Sequence, residues 1–139
     1  LLVLKYLAFQ AHKLLGFVVL ATTLWRLGLR ARHARPPLAD YPAWQRNAAI
    51  AAHRLLYVLL LAVPVLGYLT AITASVTVPV LPFVPLPAPL SPNPASFALF
   101  ATAHWLGALA LGLLAAGHAT AALFDHLAGR TTLRAMWRG

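Results

Sequence analysis

The sequence predicts an all-α integral membrane protein, a bundle of transmembrane helices forming one domain over residues 1–139. Three observations carry this. Of the 139 residues, 61% are hydrophobic and only 9% charged, with a mean hydropathy of +0.77. From Leu55 to Phe124, 70 consecutive positions hold no Lys, Arg, Asp or Glu. A soluble domain of this size has too much surface to leave half its length uncharged. The apolar residues also fall into three stretches, each long enough to cross the roughly 30 Å hydrocarbon core of a bilayer.

The first predicted helix runs from about Leu4 to Leu29, and a basic, Pro-containing loop (30–43) follows it. The second covers about Trp44 to Ser75, with a kink expected at Pro64, where proline removes a ladder donor and crowds the preceding turn. Segment 76–95 carries seven prolines, which suit neither helix nor sheet. It reads as an irregular apolar flap lying on the membrane surface. The third helix covers about Ser96 to Leu127, with Trp105 near its start and Trp137 beyond its end as interface anchors.

The formal net charge of +9 would suit a nucleic-acid binder, but the basic residues cluster at the ends of apolar segments, as topology signals do. Arg26, Arg30, Arg32, Arg35, Arg46 and Arg54 flank or fill the first loop, and Arg130, Arg134 and Arg138 lie in the C-terminal tail. By the positive-inside rule the first loop and the C-terminus are cytoplasmic and the uncharged flap is outside. The first helix therefore starts on the outside. Because the chain opens with Leu1 inside an apolar run, a further helix is expected to precede it.

His104 and His118 stand 14 residues apart, which at about 100° per residue is about 40° short of four turns. Both imidazoles thus share one helix face, about 21 Å apart along the axis. His12, in the first helix, lies at a depth matching His104. Histidines inside hydrocarbon are candidates for a functional site, since their nitrogens are costly to bury. Two imidazole layers this far apart predict axial ligands for two haems, one near each membrane surface. His12 and His104 would clamp the outer iron and His118 would bind the inner one. Gly16, Gly107 and Gly117, close to these histidines in sequence, would leave room for the macrocycle. Interhelical hydrogen bonds and small-residue helix packing are the plainer readings of such histidines and glycines. The absence of cysteine excludes disulfides, thiolate metal sites and covalent c-type attachment.

Other polar residues have weaker claims. His53, also in the inner half, reads as an inner haem ligand, a quinone contact or a packing residue. Arg26 is 14 residues after His12, at inner depth, where it could pair with a haem propionate or simply reach the headgroups. Asp125, seven after His118, lies within about 20° of that residue's face and could accept a proton from a quinol or form a salt bridge. His33 falls in the basic loop and His126 near the inner interface.

Several stretches resemble the prokaryotic cytochrome b561 family: HKLLG from His12 to Gly16, LWRL from Leu24 to Leu27, and RPPLADYPAW in the arginine loop. AAHRLLYVLLLAVPVLGYL from Ala51, AHWLGALALGLLAAGHATAAL in the last helix and the terminal TTLRAM match in the same order. The same core is similar to the b-type cytochrome subunits of hydrogenases and formate dehydrogenases. The resemblance implies a four-helix bundle, of which three helices are present here and the first is absent. It implies two b haems exchanging electrons with the quinone pool, the last helix giving two ligands spaced as His104 and His118 are. Carried over, His12 and His104 bind the outer haem, while His118 binds the inner haem opposite a histidine of the absent helix, unless His53 substitutes. The family often has paired histidines where this chain has Asp125-His126, so no role is transferred there.

The expected function is that of a di-haem b-type membrane cytochrome moving electrons across a bacterial inner membrane, to or from quinone or quinol. Superoxide or a redox partner subunit is the second partner expected, the lipid bilayer is the medium, and a homo-oligomer stays open. An intramembrane metal-ion or proton transporter using the histidines is the rival, although only one methionine (Met136) and no carboxylate cluster accompany them. A structural anchor without haem is the third reading.

Overall fold

The computed structural model describes residues 1–32, 42–74 and 87–128. Among these it contains three helices and no strand: α1 (Leu2–Arg32), α2 (Ala43–Thr73) and α3 (Pro94–Leu127). All three are long and apolar enough to cross a membrane. The all-α membrane bundle expected from hydropathy is what the chain forms. Most of the basic loop, most of the proline flap and the C-terminal arginines with Trp137 lie outside the described residues.

The helix ends differ from the expected ones for identifiable reasons. α1 continues past Leu29 to Arg32, since arginine and alanine are good helix formers and Arg30 and Arg32 complement the negative end of the helix dipole. α3 starts at Pro94 rather than Ser96. Asn93 caps it, its side-chain oxygen accepting hydrogen bonds from the backbone N–H groups of Ala95 and Ser96, each at 3.0 Å. Pro94 takes the first helical position, where a missing N–H costs nothing. α2 ends at Thr73, whose carbonyl accepts from Asn93 N–H at 3.1 Å, tying the two helix ends together. The helix runs through Pro64 without a break.

Side-chain pairs fix the topology. Arg30 lies over the Tyr57 ring and Phe17 meets Tyr68, so α1 and α2 are antiparallel. Gly107 faces Val63 and His118 meets His53, so α2 and α3 are antiparallel as well. α2 is the middle helix and packs most extensively against α3, less so against α1. Among the described residues, no Cα of α1 comes within 8 Å of one in α3.

The interior is thin. Val63 and Ile72 are the only buried hydrophobic residues among those described, while Leu14, Val18, Leu109 and Leu113 stay exposed. In lipid such exposure carries no penalty, because acyl chains are as apolar as leucine; helix association rests on close packing and polar contacts instead.

Candidate functional site

Most of the less exposed positions of α3 form one stripe, Ser96, Phe100, His104, Gly107, Leu111, Leu114, His118, Ala122 and Asp125, with Ala101 and Ala103 beside it. His104 and His118 thus share the face turned to α2, as their spacing requires. Each meets a second histidine, giving two imidazole pairs stacked along the bundle.

In the outer pair, the His12 and His104 rings have centroids 5.9 Å apart and planes at 81°. They reach across the gap between α1 and α3, whose backbones do not approach. His104 Nδ1 lies 2.9 Å from the Val63 carbonyl oxygen. A carbonyl only accepts, so this nitrogen carries the hydrogen, and in the neutral ring Nε2 keeps its lone pair. The pair borders a cavity of about 310 Å³, also lined by Gly16, Phe17, Gly67 and Tyr68. Lys13 reaches the same cavity, its ammonium 4.8 Å from the Phe9 ring centre.

In the inner pair, the His53 and His118 centroids are 4.8 Å apart with planes at 75°. His53 Nδ1–H donates to the Ala49 carbonyl of its own helix at 2.7 Å, again leaving Nε2 bare.

These distances test whether a metal fits between the rings. An imidazole–metal bond of about 2.0–2.1 Å, plus about 1.1 Å from nitrogen to ring centre, places two imidazoles in line on one metal with centroids about 6.3 Å apart. The outer pair, at 5.9 Å, matches within a few tenths of an ångström, and planes at 81° are compatible with two imidazoles turned relative to each other about a common axis. Its free Nε2, its N–H tied to a carbonyl and its adjoining cavity fit a haem ligand. The inner pair, at 4.8 Å, falls short by about 1.5 Å, so as placed these rings do not fit around a shared iron.

The remaining candidates separate. Arg26 is exposed on α1 and forms no ion pair among the described residues. Asp125 is half-buried on the α3 stripe and already partnered. His126 is exposed near the end of α3, and His33 lies outside the described residues.

Of the three expected room-making glycines, Gly16 and Gly117 face open space, and a Cβ on Gly107 would meet Val63 Cγ2 at 3.0 Å, a helix-packing contact. The glycine against an imidazole is Gly67, where a Cβ would stand 2.9 Å from His104 Cε1. Sequence reasoning missed it because it looked only beside histidines along the chain; its closeness to Pro64 in the middle helix was the available signal. Gln10 was also missed. It is 8% exposed, and neither its amide oxygen nor its nitrogen has a hydrogen-bond partner.

Among the described residues the histidines gather in twos, with no set of three or more metal-binding side chains. A helical membrane bundle whose interhelical imidazoles come in facing pairs is suited to a cofactor that brings most of its own metal ligands. The model of the prokaryotic cytochrome b561 family matches residues 2–139, and the chain belongs to that family. It is therefore a multi-pass bacterial membrane protein and a b-type cytochrome of electron transfer, with haem b as the cofactor the family implies. Neither the curated proteins nor the solved structures compared with the chain contain a match.

Proposed function

We propose that His12 and His104 are the two axial ligands of an outer haem b, that His118 supplies a ligand to a second, inner haem, and that the chain carries electrons between the quinone pool and a second redox partner. The observation carrying this is the His12–His104 pair, 5.9 Å apart across helices whose Cα atoms, among the described residues, nowhere come within 8 Å. Bound there, haem b would supply a reversible one-electron couple with no open iron position, which favours electron transfer over oxygen binding.

The chain's own residues supply position and environment. Val63 holds the His104 ring through Nδ1–H, and α2 keeps α1 and α3 apart. His118 stands about 21 Å further along α3, towards the opposite membrane surface. His53 packs against it and is assigned the role of neighbour, since the contact leaves no space for an iron. Arg26, 14 residues after His12 on α1, is the propionate partner we assign to the inner haem. Asp125, on the His118 stripe and further inward, is the proton acceptor we assign to quinol oxidation. The arginines of the first loop and tail place those segments on the cytoplasmic side.

The test is a reduced-minus-oxidised absorption spectrum of the purified chain, with haem quantified per polypeptide. Two b haems support the full reading, and one supports the His12/His104 site alone. Bound zinc or copper without haem, in a folded and haem-supplied preparation, would replace this reading with the transporter.

A further inference from the structure

We propose that Val63 and Gly67, one turn apart on α2, are positioning groups for His104: the glycine leaves the space its imidazole occupies, and the carbonyl fixes its tautomer. This rests on the reading of His104 as a haem ligand. A Cβ at position 67 would lie 2.9 Å from Cε1, 3.1 Å from Nδ1 and 3.5 Å from Nε2 of His104, so a face of the ring, over Cε1, lies in the place a side chain would take. Gly16, Gly28, Gly112 and Gly117 meet nothing, and Gly107 meets a valine methyl group. Gly67 alone among the described glycines therefore accommodates an imidazole. The Val63 carbonyl, 2.9 Å from Nδ1, holds the same part of the ring through its N–H and leaves Nε2 as the free nitrogen.

Residue 64 gives this arrangement a chemical handle. Pro64 has no N–H, so exchanging it for an α-hydroxy acid deletes no hydrogen-bond donor. That exchange turns the Val63 amide carbonyl into an ester carbonyl, a weaker acceptor. A ligand imidazole whose Nδ1–H is hydrogen-bonded is more basic and stabilises ferric iron. Weakening that bond raises the midpoint potential of the haem it holds.

The experiment uses the full chain loaded with haem b. The hydroxy analogue of valine at position 64 is compared with the Pro64 chain, which likewise has no N–H there, and with Pro64→Val, and Gly67→Ala is compared with Gly112→Ala. The ester should keep its haem and show a more positive midpoint potential for one haem than either the Pro64 chain or Pro64→Val does. Gly67→Ala should change the low-spin ferric g values, which report the angle between ligand planes, or lose that haem; Gly112→Ala should do neither. If His104→Ala abolishes a haem while the ester and Gly67→Ala both keep the reference potential and g values, the positioning role is overturned. If Gly67→Ala does not fold, the ester comparison still decides. If the wild-type chain binds no haem, the ligand reading fails separately, and nitrogen-15 spectra of the haem-free chain take over. A His104 ring protonated at Nδ1, with that preference lost in the ester, sustains the proposal; protonation at Nε2 overturns it.

Discussion

The outer and inner imidazole pairs use the same residue type, on the same stripe of α3, yet they differ in what joins them. The outer pair spans α3 and α1, two helices held apart by the third; the inner pair spans α3 and α2, which pack directly. Rings across the gap sit 5.9 Å apart beside a cavity, whereas rings across the packed interface touch at 4.8 Å. Space beside an imidazole pair opens where the bundle keeps two helices from meeting. Where helices close on one another, as α2 and α3 do at His53 and His118, the rings pack with no room for a shared metal between them.

The strongest way to break this comparison is to remove ligands. His12→Ala and His104→Ala should each lose the outer haem entirely, whereas His118→Ala should lose only the inner one, read as haem per polypeptide. Full wild-type content in all three would leave neither pair a ligand role. His53→Phe sharpens the contrast: we expect haem content to hold, with a shifted potential for the inner haem. Loss of one equivalent would show instead that the rings part to admit an iron. Asp125→Asn should slow quinol-dependent reduction several-fold with haem content intact, and an unchanged rate would return it to a structural role.

Smaller effects probe packing. Gly107→Ala presses a Cβ to within 3.0 Å of Val63 and should destabilise the bundle by about 1–3 kcal/mol in a thermal or denaturant titration. Gln10→Leu removes a buried amide that has no hydrogen-bond partner, and replacing such a group by an apolar one should add about 1 kcal/mol. A loss of stability there would mean that the Gln10 amide finds a partner in the membrane.

Much of the frame was readable in the sequence. The run from Leu55 to Phe124 without a charge announced the membrane, and the 14-residue interval put His104 and His118 on one face. Within-helix geometry follows from chain chemistry alone, so these inferences hold. Contacts between helices do not follow in this way. Gly67 lies 37 residues before His104, and only the packing of α2 on α3 brings them together. The meeting of His53 with His118 likewise depends on how α2 registers against α3. The start of α3 was misjudged because Pro94 was counted with the preceding prolines, although Asn-Pro is itself a cap followed by a first helical residue.

The α3 stripe has one further consequence. Because a histidine of each pair is carried on a single unbroken helix, the interval between the two layers is a ruler cut in covalent geometry, not a product of side-chain packing. Tilting or breathing of the bundle moves both marks together. One residue inserted between His104 and His118 would lengthen the ruler by only about 1.5 Å but swing the second mark through about 100°, out of line with α2. The spacing that governs any electron hop between layers is therefore guarded by angle far more strictly than by length.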